Sequence, residues 1–162
     1  MRSFRTVKLL LIRHADAGEP GPNWPDDGQR PLTDEGRDQA SRLGPVLGRL
    51  FPNCDVVCST SLKRARETAA AIHPNTDWPK PIVHAADMWL PPRQLFESFT
   101  AYEKGCVAYV GHEPVLSRLI SFLLTGNETV VVKMGKGAAA HLEVNDQPLA
   151  RLLWLLVPEA LP

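Results

Sequence analysis

The chain lacks an excess of charge of either sign. Its 162 residues carry 18 Lys and Arg against 18 Asp and Glu, a formal net charge of zero. That balance leaves no electrostatic footprint for nucleic acid, so any anion site has to be a local cluster of cations. Cysteine is scarce and odd in number: Cys54, Cys58 and Cys106. A chain large enough to bury a core can do without disulfide staples, and three thiols point to a reduced, cytoplasmic setting. Long hydrophobic runs are missing as well. No stretch nears the roughly 20 residues of a membrane span. Arg2, Arg5 and Lys8 precede the apolar residues 9–12, but that run is too short for a signal-peptide core and no small-residue cleavage site follows. Trp24, Trp78, Trp89 and Trp154 are too dispersed for a base-stacking platform. With no repeat, low-complexity tract or linker, residues 1–162 read as a single domain, without nucleic-acid or membrane partners.

What is present is an ordinary globular balance, 44% hydrophobic and 22% charged, ordered in a telling way. Residues 7–12 form an apolar run rich in Leu, Val and Ile, which reads as a buried parallel strand. It ends abruptly in Arg13, His14, Ala15 and Asp16. Ligands of open α/β sheets bind just beyond the carboxyl ends of such strands. A Gly-, Pro- and Asp-rich stretch from 15 to 32 reads as a long loop. Thr33 is placed to cap a helix that carries Ala40, Leu43, Leu47 and Leu50 on one face, with a kink or break expected at Gly44-Pro45. Residues 55–59 read as a second buried strand, 61–72 as a helix and 82–84 as a minor strand. Residues 93–104 read as an amphipathic helix, 106–110 as a third buried strand and 115–124 as a helix. Strands are expected over 129–134, 138–144 and 152–157. This order predicts a three-layer α/β/α sandwich with a mostly parallel sheet and an antiparallel edge strand. No exposed apolar patch stands out as a partner surface.

Three strand exits now carry basic or imidazole groups. The first gives Arg13 and His14. The second leads into Ser61-Leu62-Lys63-Arg64, which sets Arg64 in the first turn of a helix. The third gives Gly111-His112-Glu113-Pro114. If these strands are parallel neighbours, two arginines and two histidines converge on one sheet edge. Four blocks, Arg13-His14-Ala15, Arg30-Pro31-Leu32-Thr33-Asp34-Glu35-Gly36, Ser61 to Ala69, and Gly111 to Pro114, occur in the order of the histidine phosphatase superfamily. The chain resembles the short SixA-type branch of that phosphoglycerate mutase-like group, the phosphohistidine phosphatases.

The resemblance implies roles. His14 attacks phosphorus and carries a phosphohistidine intermediate, and Arg13, Arg64 and His112 complete the catalytic set. Arg13, Arg64, His112 and Glu113 bind the phosphoryl group, and water then hydrolyses the intermediate. Asp16, Ser59 and Asp87 are candidate supporting residues. Asp16 either orients His14 or binds solvent, and Ser59 is placed to hydrogen-bond His14 from behind. No metal and no cofactor are implied, because the cations are built in. Larger members supply a carboxylate acid from an insert after the second block. Here the matching residues 85–92 are few and hold one acid, Asp87. Sugar alkoxides leave poorly without a proton, whereas a P–N bond is labile. The expected substrate is therefore phosphohistidine on a protein. The alternatives are a small phosphorylated molecule or nucleotide on the same site, or a non-catalytic phosphate-binding module. A monomer is expected by analogy.

A rival chemistry sits in the same chain. Cys58 to Arg64 fits the Cys-x5-Arg spacing of cysteine-based phosphatases. That loop has no glycine, which a backbone phosphate cradle usually needs, and a thiol mechanism leaves Arg13, His14 and His112 unexplained. Cys58 reads better as a small buried hydrophobe. His73, His84 and His141 have no motif around them.

Overall fold

The computed structural model describes residues 6–84, 89–145 and 149–161. Six strands form one sheet: β1 (Val7–Arg13), β2 (Val56–Ser59), β3 (Ile82–Val83), β4 (Cys106–Gly111), β5 (Ala139–Val144) and β6 (Arg151–Leu156). Their spatial order is β3-β2-β4-β1-β5-β6. The first four in that order run parallel, β5 is antiparallel to β1, and β6 is antiparallel to β5. The expected antiparallel edge is thus a pair of strands. β4 lies between β1 and β2, with Arg13 opposite Gly111 and Ser59 opposite Val110. The three chemistry-bearing strand exits therefore stand side by side at one edge.

Alternation along β1 shows why the sheet is covered on both faces. Leu9 and Leu11 join one apolar cluster, and Leu10 and Ile12 join another. Helices α1 (Asp34–Leu50) and α2 (Lys63–Ile72) bring Leu43, Leu47, Ala65, Ala69 and Ile72 to the second cluster. Helices α3 (Pro92–Thr100) and α4 (Val115–Thr125) bring Leu95, Phe99, Leu116, Leu119 and Ile120 to the first. The result is the three-layer sandwich that the sequence pattern predicts.

Three expectations need correction. First, α1 runs unbroken through Gly44-Pro45. Proline forfeits one backbone donor bond, and here the packing around it outweighs that loss. Gly44 lies so close to the end of α2 that a Cβ there would sit 2.9 Å from the Ile72 carbonyl oxygen. Second, residues 129–134 form no strand. Their backbone donors are taken locally: the Thr129 N–H donates to Asn127 Oδ1 and the Val131 N–H to the Ser121 hydroxyl. The β-branched composition imitated a strand, while two of its backbone donors go to side-chain acceptors. Third, an apolar surface exists. β6 forms as a strand, lies at the sheet edge and leaves Leu153, Leu155 and the following Val157 exposed. Among the described residues no helix is long and apolar enough to cross a membrane.

Candidate active site

The end of β1 sets the first two groups. Arg13 is its last residue, and its Nη1 donates to the Met134 carbonyl at 2.9 Å, which fixes the guanidinium. Its Nε is buried without a partner. His14 follows, tied by its backbone N–H to the Gly111 carbonyl (3.0 Å) and by its own carbonyl to the Gly137 N–H (3.1 Å). Its Nδ1 lies 2.7 Å from the Ala15 carbonyl oxygen. A carbonyl can only accept, so Nδ1 carries the proton and Nε2 presents a lone pair. The Arg64 Nε donates to that Nε2 at 3.3 Å. Burial pulls the His14 pKa down to about 4, opposed by the hydrogen bond to the Ala15 carbonyl and helped by the smaller effects of Arg64, Arg13 and His112. The ring is therefore neutral near pH 7.

Arg64 is the second residue of α2 and is buried. Its Nη1 donates to the Asp27 carbonyl (2.9 Å) and its Nη2 pairs with Asp27 Oδ2 (3.1 Å). Asp27 also accepts from Arg30 Nε at 2.8 Å, and Arg30 Nη1 donates to the carbonyls of Ala17 and Gly18. The loop after β1 is thus stitched to itself and to the catalytic edge by two arginines. The Thr68 hydroxyl donates to the Arg64 carbonyl and accepts from the Ala15 N–H, linking α2 to the strand exit.

His112 follows β4. Both its ring nitrogens are buried without partners, and Trp89 meets its ring edge-to-face at 4.8 Å. Burial, then Arg64 and Arg13, lowers its pKa to about 4 as well. Arg13, His14, Arg64, His112 and Glu113 line one cleft of about 620 Å³, closed on its other side by residues of the 18–28 loop. One oxygen of Glu113 is also buried and unpartnered. Buried polar atoms are almost always satisfied, so four such atoms in one cleft mark a built site for a polar ligand.

The supporting residues fare differently. Asp16 does not touch His14. It accepts from Lys136 Nζ (2.6 Å) and the Thr33 hydroxyl (2.7 Å), so it braces the start of α1. The Ser59 hydroxyl donates to the Thr60 carbonyl, and the Ala15 carbonyl takes the position behind His14 that was expected for it. Asp87 lies outside the described residues. The cysteine rival fails on geometry: Cys58 is fully buried in the apolar cluster of α3 and α4, with its Sγ toward the Ala108 carbonyl, and burial pushes its thiol up to about 12. Sequence reasoning missed Asp27, Trp89 and Lys136, which also line the cleft. The Asp26-Asp27-Gly28 turn and the Gly135-Lys136-Gly137 turn were the only local signals for two of them. Among the described residues no set of three His, Cys, Asp or Glu side chains is grouped for a metal ion.

The model of the histidine phosphatase superfamily (branch 1) matches residues 9–88. An uncharacterised protein of Picosynechococcus sp. (strain ATCC 27264 / PCC 7002 / PR-6) is 27% identical over 93% of this chain and 99% of its own length. A 2,3-bisphosphoglycerate-dependent phosphoglycerate mutase of Mycobacterium leprae (strain Br4923) is 33% identical over 58% of this chain, but over only 35% of the mutase. The structure of the protein histidine phosphatase SixA complexed with tungstate superposes with a TM-score of 0.77, covering 94% of this chain and 97% of that one at 20% identity. At that identity the likeness concerns the fold.

Proposed function

The chain belongs to the histidine phosphatase superfamily, and from that premise we propose that it is a phosphatase whose covalent phosphohistidine forms on His14 and whose substrate is phosphohistidine on a protein. The observation that carries the reading is the state of His14. Its Nδ1 donates to the Ala15 carbonyl, and its Nε2, unprotonated, accepts from Arg64 Nε in the cleft. A neutral imidazole held in that tautomer is a competent nucleophile.

In the first half-reaction a P–Nε2 bond forms and the bond to the leaving group breaks in line. Charge on the phosphoryl oxygens is met by Arg13, Arg64 and His112. Phosphoryl transfer is accelerated mainly by such positioning and charge stabilisation. In the second half-reaction water takes the phosphoryl group and the electron pair returns to Nε2. Arg13, Arg64 and His112 stand at the ends of β1 and β4 and in the first turn of α2.

Substrate choice rests on the leaving group. Residues 85–92 are too few to build the acid-bearing insert of larger members, and a P–N bond breaks without strong acid assistance. SixA, whose fold this chain shares, is itself described as a protein histidine phosphatase. The test is to expose the protein, treated with chelator, to a labelled small phosphoramidate, quench in base and map the label. Label on His14 supports the mechanism, and label elsewhere overturns it. Comparing turnover of phosphohistidine protein with that of a sugar phosphate then decides the substrate. A higher kcat/KM for the sugar phosphate would replace the protein substrate by a small molecule.

A further inference from the structure

We propose that Glu113 is the general base that activates water for hydrolysis of the phosphohistidine, an assignment that rests on His14 being the nucleophile. The sequence reading gave Glu113 to phosphate binding. An ionised carboxylate has only acceptors, so its side chain repels a phosphoryl group and suits a proton-bearing partner. The structure leaves it that role. Glu113 lines the cleft next to His112, and its Oε1 is buried with no hydrogen-bond partner. A carboxylate oxygen withdrawn from solvent and left unpaired calls for an explanation, and a catalytic role is one.

Position agrees with that role. β1 and β4 are neighbours, Arg13 is opposite Gly111, and the His14 N–H donates to the Gly111 carbonyl. His14 and His112 therefore leave adjacent strands side by side, and Glu113 is the next residue along β4's exit. Among the described residues, the other carboxylates in and around the cleft are committed or open to solvent. Asp27 is held by Arg30 and Arg64, Asp26 accepts from the Gly28 N–H, and Glu19 is exposed. Asp16 is taken by Lys136 and Thr33.

The step balances without a further reactant. Water's oxygen forms the new bond to phosphorus as the P–Nε2 bond breaks, and that electron pair returns to the imidazole. One water proton passes to Glu113 and then to solvent, and inorganic phosphate leaves. Base catalysis of this kind is worth roughly 10²- to 10⁴-fold. The carboxylate is needed in the second half-reaction only, and this sets it apart from the phosphate-binding arginines, which serve both.

The experiment is rapid quench with a labelled phosphoramidate on Glu113→Gln, with Asp87→Asn alongside and thermal melts to establish that both fold. Glu113→Gln is expected to label His14 at close to the wild-type rate. The phosphoenzyme should then accumulate to near one per chain while steady-state turnover falls about 10²-fold. Turnover within a few-fold of wild type overturns the proposal. So does equal slowing of labelling and turnover with no accumulation, which would return Glu113 to phosphate binding. Accumulation in Asp87→Asn in place of Glu113→Gln would move the base to Asp87. If wild type itself carries no label on His14, the nucleophile assignment falls, and this role falls with it.

Discussion

Two neighbours set the state of His14, the proposed nucleophile: the Ala15 carbonyl, which accepts from Nδ1, and Arg64, whose Nε donates to Nε2. His14→Ala is expected to abolish turnover, measured as phosphate release. Arg13→Ala and Arg64→Ala should each lower kcat/KM by about 10²-fold or more, as for loss of a transition-state charge donor. Because the His14 pKa is lowered to about 4, the nucleophile is already deprotonated well below neutrality. Activity should therefore hold on acidification from pH 7 to about 5 and fall only as pH passes through about 4, with any loss nearer pH 6.5 pointing to another group. Cys58→Ser should keep activity within about two-fold, since its thiol is sealed in the core. The convergence of Arg13, His14, Arg64 and His112 on one cleft was legible because each ends or follows a strongly patterned strand or opens a helix. Asp27, Trp89 and Lys136 were not, because their place in the cleft depends on how loops fold back. Chain order carries no signal for that, and Asp16 and Ser59 went to other partners for the same reason.

Two substitutions test how the elements hold the site. Pro45 lies inside α1 on its exposed side. Replacing it with Ala restores a backbone donor and relieves the clash of the ring with the preceding turn, so Pro45→Ala is expected to stabilise the fold by about 1–3 kcal/mol in urea unfolding. Gly36 shows the opposite constraint. A Cβ there would lie 2.0 Å from the Asp16 carbonyl oxygen, so α1 can approach the loop after His14 only with glycine at this position. Gly36→Ala is expected to cost on the order of 2 kcal/mol, and to lower kcat as well, because the displaced segment begins two residues after the nucleophile. The long helices were readable from sequence because one face is periodically apolar, and the central strands because both of theirs are. Residues 129–134 were misread because β-branched composition is shared by strands and by extended loops whose donors find side-chain acceptors. The break that Gly44-Pro45 offered as one alternative does not form, because tertiary packing outweighs a local breaker.

At the scale of the whole molecule the buried histidines couple the fold to pH. Burial lowers the pKa of His14 and His112 to about 4, and also lowers those of His84 and His141. The unfolded chain, with histidines near 6.5, binds more protons than the folded one between those values. Stability from these groups is complete above about pH 6.5 and is lost as pH falls toward 4. The melting temperature should therefore drop steadily across that window, and His14→Asn should flatten part of the slope. A melting temperature that stays level from pH 7 to 4.5 would contradict the burial of neutral imidazoles. The sheet's outer strand has a different consequence. β6 offers an open backbone edge beside Leu153, Leu155 and Val157, on a chain whose acidic and basic residues cancel. Nothing in its net charge keeps two molecules apart near neutral pH, and an edge strand with exposed apolar side chains is a template for pairing. Concentrated solutions should scatter light most strongly close to pH 7 and clear on moving to pH 9, and a single Leu155→Lys gatekeeper should clear them at either pH.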